Sequence, residues 1–152
     1  MVLHSTGTGS EIQTTAQRSL LMSRVKHSGT SAETAVGGIL DDAGISYVVG
    51  DRSLPGSPDL SNREEEWAIY VNGCFWHFHK GCSRGRVPKT NRSYWSLKLR
   101  ENRRRDTRNI SRLKGLGLVP IVVWGCELDN RPLLEGRLLQ ALGRRAGGRT
   151  TA

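Results

Sequence analysis

A run of cysteine and histidine residues in the middle of the chain constrains its fold more than any other feature. The run from Gly73 to Cys82 holds two of the chain's three cysteines, and the third comes much later. With one histidine they make a Cys₃His set, which is typical of structural zinc: Cys74, His79, Cys82 and Cys126. His79 is preferred to His77 because His79-x-x-Cys82 has the usual zinc-knuckle spacing. We therefore predict one structural zinc ion, the alternative being buried, inert cysteines.

Chain length and cysteine count bound the class of protein. A chain of 152 residues, 36% of them hydrophobic, is long enough for one domain. Three thiols, and no apolar stretch of the length that an export signal or membrane helix needs, favour a reducing, cytoplasmic compartment over a disulfide framework. The expected division is a flexible segment at 1–18, a domain at 19–143 and a flexible basic tail at 144–152.

Positive charge is concentrated in one segment. The whole protein has a formal net charge of +9, yet the segment from Arg84 to Lys114 contains twelve basic residues against two acids, Glu101 and Asp106. A basic segment of this size suits a polyanion such as a nucleic-acid backbone and predicts salt-dependent binding. No broad apolar stripe accompanies the charge, which argues against a membrane surface. The alternative is an ordinary solvated helix face.

The pattern of apolar, turn and capping residues predicts an α/β fold. Residues 30–33 have the sequence of a capping box that opens a helix to about residue 43. One helix, continuing or kinking into a second, is predicted between 94 and 116, and a last helix from Pro132. Three strands are predicted at 45–49, 67–71 and 118–124, with a polar hairpin tip at 61–66. Pro120 favours an edge position for the third strand. We therefore expect a mixed sheet flanked by helices.

Asp59 is the acid best suited to hold a divalent cation. It ends the turn 54–59, in which Pro58 stiffens the backbone. Mg²⁺ takes few protein carboxylates and completes its shell with water and phosphate oxygens, which suits one rigid acid. Glu33 could reach the same site from the first helix, although the third position of a capping box favours Glu for local reasons. A purely structural turn is the alternative for Asp59.

His77 and three aromatic residues have no part in the zinc set. A neutral His77 next to a strand end could act as general base towards a metal-polarised water, or it could simply pack. Phe75, Trp76 and Trp95 flank metal ligands and basic residues, where aromatic side chains can stack on bases or separate them. The alternative is that these rings cover a small zinc-bound core.

The most specific combination in the chain is a Gly-Cys-Phe-Trp-His run after a Pro-Gly-x-Pro-Asp turn. Other distinctive segments are 88–91, Tyr94-Trp95, Asn102 with Arg105-Asp106, and 123–126. Together they resemble the very-short-patch-repair (Vsr) family of DNA mismatch endonucleases. The resemblance covers about two-thirds of the chain, from Met22 to about Leu128.

The resemblance implies a restriction-endonuclease-like fold with a structural zinc, and a Mg²⁺-dependent nick in duplex DNA on the 5′ side of the thymine of a T:G mismatch. It makes Asp59 a Mg²⁺ ligand together with the main-chain carbonyl of Val71, His77 the general base, and Glu33 a catalytic glutamate. It also assigns the zinc ligands to Cys74, His79, Cys82 and Cys126.

The resemblance further implies how DNA is held. Phe75, Trp76 and Trp95 fall on aromatic residues that intercalate beside the mismatch, and Met22 falls on the family's N-terminal clamp. Lys89 and Arg105 lie in matching basic segments, and we expect them to contact DNA. The expected partner is mismatched double-stranded DNA, bound by a nucleoid-associated monomer, with mismatch-repair proteins as further candidates.

The chain departs from the family's pattern at two places. The best-known member carries Thr-His where this chain has Val71-Asn72, and other members carry Asp at the second position. Asn72 can donate a hydrogen bond but cannot carry a proton or a charge, which could cost on the order of 3 kcal/mol of transition-state stabilisation. Asn72 is thus either a tolerated catalytic variant or an inactivating one. In the second case the protein is a zinc-stapled basic module that binds distorted DNA without efficient cleavage. The knuckle also has one additional residue, Gly81.

Overall fold

The computed structural model describes residues 30–146, with side chains described as far as residue 143. Met22, the predicted flexible segment 1–18 and the end of the predicted tail lie outside the described residues. The predicted division of the chain into domain and flexible ends therefore stays a prediction. No helix among the described residues is long and apolar enough to cross a membrane.

The described chain forms one four-stranded sheet and three α-helices. Helix α1 spans Ser31–Asp42, α2 spans Arg92–Gly115 and α3 spans Arg131–Ala146. The strands are β1 (Val48–Val49), β2 (Leu60–Asn62), β3 (Trp67–Asn72) and β4 (Val119–Trp124). Their order in the sheet is β1-β2-β3-β4. The pairs β1–β2 and β2–β3 are antiparallel, and the pair β3–β4 is parallel. Short 3₁₀ segments follow at Ser83–Gly85 and Gly125–Asn130.

Helices cover both faces of the sheet, as the α/β prediction requires. Along β3, Trp67 and Ile69 pack with buried residues of α1 and α3, including Val36, Leu40, Leu134 and Leu138. The alternate residues Ala68 and Tyr70 pack on the opposite face with Leu113 of α2. β3 is therefore buried on both faces, as its position between two helical layers demands.

Two local predictions needed correction, and the structure decides between two alternatives for a third element. The strand predicted at 45–49 is only two residues long, Val48–Val49, and both valines are exposed. The predicted hairpin tip at 61–66 is shorter, because Ser61 and Asn62 pair with Ala68 and Trp67 in β2. Backbone pairing outweighs side-chain polarity there, and Ser61 is buried. The helix or helix pair predicted at 94–116 is one continuous helix, Arg92–Gly115.

Other local predictions were confirmed. Thr30 caps α1, since its hydroxyl oxygen accepts a hydrogen bond from the Glu33 backbone N–H at 3.3 Å. Gly44 follows the helix with a φ of 68°, the left-handed conformation that glycine tolerates. Pro120 lies in β4, which is an edge strand of the sheet. Helix α3 includes Pro132 near its start and runs to Ala146.

Candidate active site and metal centre

The register of the two parallel strands brings the distant cysteines together. Asn72 at the end of β3 pairs with Trp124 at the end of β4. Cys74 and Cys126 each follow two residues after these paired strand ends, so both enter the same space beyond the sheet. His79 and Cys82 return to it through a turn in which the Cys82 N–H donates to the His79 carbonyl at 3.3 Å.

The four predicted zinc ligands form one compact cluster. The ligand atoms of Cys74, His79, Cys82 and Cys126 all lie within 4.8 Å of one another. The Cys126 Sγ lies 3.6 Å from the His79 Nδ1. Ligands around a tetrahedral zinc with Zn–S bonds of about 2.3 Å are separated by roughly 3.8 Å. The donor set and its spacing therefore fit zinc.

Glycines shape the turn between the zinc-ligand candidates. Gly81, the additional residue of the knuckle, has a φ of 79° and so adopts the left-handed conformation that the turn requires. A Cβ at Gly85 would lie 2.3 Å from the His79 carbonyl oxygen, so no larger residue fits there without a backbone shift. The knuckle accommodates the additional residue without moving a ligand away from the cluster.

Two thiols of the cluster, Cys82 and Cys126, have opposite pKa shifts. Burial, together with the neighbouring Cys74 and Cys82, raises the pKa of Cys126 to about 12. A hydrogen bond from the Arg84 backbone N–H holds the pKa of Cys82 below its usual value. Without a cation, the Cys126 thiol therefore resists ionisation. A bound metal ion would favour its thiolate because it stabilises the negative charge directly.

Residues outside the ligand set support the cluster through a ring stack and hydrogen bonds. The sequence analysis did not identify these residues. The His79 ring stacks on Trp124 with centroids 4.0 Å apart and planes 3° from parallel. The Trp124 backbone N–H donates to Glu127 Oε2 at 2.8 Å. Arg137 of α3 donates to the same oxygen at 2.8 Å and to the Val122 carbonyl at 3.0 Å. Helix α3 is thereby connected to the segment that carries Cys126.

A cleft of about 720 Å³ opens beside the cluster at the same end of the sheet. Most of the predicted catalytic and cation-binding residues line it: Glu33, Asp59, Val71, Asn72 and His77. Trp76, Arg105, Asp106 and Asn109 complete much of its wall. Lys89 is exposed in the loop before α2 and does not line this cleft.

Asp59 is fixed in the cleft by the backbone. Its Oδ2 accepts a hydrogen bond from the Val71 N–H at 2.6 Å, and its own N–H donates to the Ile69 carbonyl at 2.9 Å. Burial is the main cause that raises its pKa to about 6; nearby Glu33 also raises it, whereas the Val71 N–H and His77 lower it. The raised pKa means that too little positive charge lies nearby to stabilise the ionised carboxylate. A divalent cation would supply that charge.

Glu33 has two roles that are compatible. The Thr30 hydroxyl donates to Glu33 Oε1 at 3.2 Å, so the Glu33 side chain reaches back to the residue that caps the helix. The same residue lines the cleft and lies close enough to Asp59 to raise its pKa. The capping interpretation therefore does not remove Glu33 from the candidate site.

His77 is paired with an acid that the sequence interpretation left without a role. Its Nδ1 lies 2.6 Å from Asp106 Oδ2, and Asp106 also lies 3.4 Å from a guanidinium nitrogen of Arg105. Asp106 is one of only two acids in the basic segment from Arg84 to Lys114. This isolation was the sequence feature that could have pointed to Asp106, because a single acid among many arginines suggests that it contacts a specific partner.

Three predicted intercalating residues form one aromatic cluster next to the cleft. Phe75 lies 5.1 Å from Trp76 and 5.3 Å from Trp95 between ring centroids, and the two tryptophans are 5.9 Å apart. Tyr94 adds a fourth ring 5.2 Å from Trp95. Asn102 of α2 donates to the Trp76 carbonyl at 3.0 Å. All three predicted rings are half-buried, so they keep exposed surface for contact.

Comparisons with known proteins identify the relatives of this chain. The family model described as DNA mismatch endonuclease Vsr matches residues 10–84. A type II nicking enzyme, V.XorIIP of Xanthomonas oryzae, is 39% identical over 83% of this chain and 92% of its own length. V.NmeAIP of Neisseria meningitidis is 34% identical over 84% and 91%, respectively. The DNA mismatch endonuclease Vsr of Escherichia coli is 36% identical over 85% and 82%.

Proposed function

We propose that this chain, which belongs to the Vsr family of DNA mismatch endonucleases, nicks one strand of duplex DNA on the 5′ side of the thymine of a T:G mismatch. Family membership makes it a DNA-cleaving hydrolase of mismatch repair. The dependence on Mg²⁺ and the T:G preference are our proposals. The observation that carries them is the convergence of Asp59 and the His77–Asp106 pair in one cleft beside an aromatic cluster.

Asp59 and the main-chain carbonyl of Val71 are the groups that would hold Mg²⁺. When bound there, the cation supplies positive charge to the scissile phosphate and polarises water. Asp59 suits this role because the Val71 N–H fixes the position of its carboxylate. Burial also disfavours the ionised carboxylate, which a bound cation would stabilise. Glu33 lines the same cleft, and its carboxylate can orient a water molecule or interact with the cation.

His77 is the proposed general base. Because Asp106 engages Nδ1, the neutral ring carries its proton on that nitrogen and keeps Nε2 free to take a proton from water. The Asp106 carboxylate then stabilises the imidazolium that forms. Asp106 is therefore a positioning residue, since it acts on the reaction through His77.

Zinc is proposed to hold the loop that carries His77 and the two aromatic residues before it. Phe75 and Trp76 lie between Cys74 and His79, so fixing these two ligands fixes the loop between them. A rigid loop is needed because separating stacked bases costs a few kcal/mol per step. Phe75, Trp76 and Trp95 would enter the duplex, Lys89 and Arg105 would contact its backbone, and Met22 would contribute from the N-terminal segment.

A second candidate function rests on Asn72. This residue is 7% exposed and lines the cleft at the end of β3. Its neutral amide cannot act as a general acid or base, so a protein that binds mismatched DNA with little cleavage is the competing proposal. The monomeric state, the cytoplasmic, nucleoid-associated location and any mismatch-repair partner stay predictions.

A mismatch array tests the proposed specificity. Duplexes that each carry one mismatch, in several flanking contexts, are incubated with the protein and Mg²⁺, and the products are resolved on denaturing gels with either strand labelled. We expect a single nick 5′ of the thymine in T:G duplexes, with matched T:A duplexes left intact. Equal nicking of matched duplexes would contradict the mismatch specificity.

A further inference from the structure

Helix α2 carries a second group of basic residues that does not belong to the cleft. The helix contains nine basic and two acidic residues. On the cleft side lie Arg105, Asp106 and Asn109. A separate groove of about 440 Å³ is bordered by four arginines and one threonine, which we call the outer arginine face: Arg100, Arg103, Arg104, Thr107 and Arg108.

Helical geometry places this face away from the protein body. Leu99 and Leu113 are fully buried, so they mark the side of α2 that faces the protein interior, where Leu113 packs with Ala68 and Tyr70 of the sheet. Successive residues turn by about 100° around a helix, so Arg104 lies about 140° from Leu99 and Arg100 about 100°. Asp106, which contacts His77, lies close to the buried side. Arg100, Arg104 and Arg108 therefore point to solvent, whereas Arg103 and Thr107 lie nearer the buried side and border a smaller pocket together with His77.

The arginines of this face have no acidic partner among residues 30–143. The salt bridges of that region involve other arginines: Arg63, Arg84, Arg105, Arg131 and Arg137. All four arginines of the outer face are exposed. Like charges four residues apart, such as Arg100 and Arg104, destabilise a helix by a few tenths of a kcal/mol. A local structural benefit therefore does not explain them.

We propose that the outer arginine face binds phosphates of the DNA strand complementary to the nicked strand. The proposal rests on the proposed function, because it takes the cleft as the site of the scissile strand. An α-helix with its side chains is about 10–12 Å wide, and the major groove of B-DNA is about 12 Å wide. A helix lying in that groove meets one backbone on each flank. The cleft side of α2 then faces the nicked strand and the outer arginine face the other.

The salt dependence of binding tests this assignment. The double variant Arg100→Gln with Arg104→Gln is compared with Arg63→Gln with Arg131→Gln, which removes the same charge from residues paired with Asp51 and Asp42. Glutamine keeps helix propensity near that of arginine, so we expect all variants to fold. Binding to a T:G duplex is measured from 50 to 200 mM salt without divalent cations. Each lost phosphate contact lowers the salt slope by about 0.9, so we expect a loss of about 2 for the outer-face variant.

Neutral phosphates identify the strand. Methylphosphonates are placed in the complementary strand or, as a control, in the nicked strand away from the scissile bond. We expect methylphosphonates in the complementary strand to weaken DNA binding by the wild-type protein. The same substitution should weaken binding by the outer-face variant only slightly, because its contacts to those phosphates are already lost. A slope loss no larger than that of the Arg63/Arg131 control would overturn the proposal. The proposal would also be overturned if the losses of affinity from the double variant and from methylphosphonates in the complementary strand were fully additive. Full additivity would mean that these arginines contact DNA elsewhere.

The outcomes separate this inference from the proposed function. Normal nicking by the wild-type protein with an unchanged slope in the outer-face variant would contradict the inference alone. Absence of nicking on every mismatch, with the expected slope loss, would contradict the proposed function while supporting binding of DNA phosphates by the outer arginine face.

Discussion

The imidazole Nδ1 of His77 and the carboxylate Oδ2 of Asp106 lie 2.6 Å apart, although the two residues come from different parts of the fold. His77 belongs to the loop between the zinc-ligand candidates Cys74 and His79, whereas Asp106 is in the middle of α2. Their contact ties the metal centre to the basic helix at the edge of the cleft. The same loop therefore carries two zinc-ligand candidates, two aromatic rings and the histidine that contacts Asp106.

Replacing Asp106 tests that contact. Asp106→Asn keeps the size of the side chain but removes the negative charge and can present an N–H to Nδ1, which favours the wrong tautomer of His77. We expect nicking to fall by on the order of 10²–10³-fold. Binding to a T:G duplex should stay within about threefold, since no phosphate contact is removed. Single-turnover rates and binding titrations check this, and a rate within threefold of the wild type would argue against the positioning role.

Asp59 should stabilise the fold less when it is charged. Its pKa is raised to about 6 from 3.8 in the folded state, so its favourable contribution is complete below pH 3.8 and is lost as pH rises through 6. Because the group is only partly buried, we take the cost of the charge at pH 7 as about 1–2 kcal/mol. Asp59→Asn should therefore raise the free energy of unfolding at pH 7 without divalent cations, and the gain should fade towards pH 4.

Asp51→Asn is the matched control for that experiment. Hydrogen bonds from Arg63, and then from Ser53, lower the pKa of Asp51 to about 2, so its charged form favours folding above pH 3.8. The same substitution there should not stabilise the protein at pH 7. Urea unfolding of both variants gives the comparison, and a loss of stability in Asp59→Asn at pH 7 would contradict the account of this site.

The two histidines of the loop offer a matched test of the metal centre. His79 lies in the four-residue cluster and His77 does not. We expect the wild-type protein to contain about one zinc per chain. His79→Gln should lose most of it, while His77→Gln should retain it. Metal content measured on purified protein decides the matter independently of nicking. Retention of zinc in His79→Gln, or its absence from folded wild-type protein, would refute the assignment.

Asn72 distinguishes the enzyme from the binding module. Asn72→Asp would add a negative charge to the cleft that holds Asp59. The ionised carboxylate of Asp59 is already disfavoured there by burial and by nearby Glu33. If the natural chain is active, neither Asn72→Asp nor Asn72→His should raise the nicking rate by more than about threefold. A gain of roughly 100-fold, equivalent to about 3 kcal/mol, would instead favour a chain inactivated by Asn72. Arg63→Gln serves as a neutral surface control in the same assay.

The metal-ligand candidates could be predicted from the sequence because their chemistry and spacing are local. Cys74, His79 and Cys82 lie within nine residues, and one further cysteine was available. What the sequence could not show is why Cys126 joins them. That follows from the parallel register of β3 and β4, which is set by hydrogen bonds between residues far apart in the chain.

The remaining differences have similar physical causes. β2 was missed because Leu60-Ser61-Asn62 is too short for an alternating pattern, and pairing with β3 decides its conformation. Asp106 was missed because its partner is 29 residues away on a loop whose path depends on the knuckle. The stack of His79 on Trp124 likewise depends on the sheet register.

Cleavage of a single T:G duplex by the wild-type protein and by Asp59→Ala tests the central claim most directly. With Mg²⁺, the wild-type protein should make one nick 5′ of the thymine, and chelation of Mg²⁺ should abolish it. Asp59→Ala should lower the rate by at least about 10²-fold while still binding the duplex. Asp51→Ala, the loss of an acid outside the cleft, should nick normally. Nicking by Asp59→Ala at the wild-type rate, or no Mg²⁺-dependent nick by the wild type, would contradict the account.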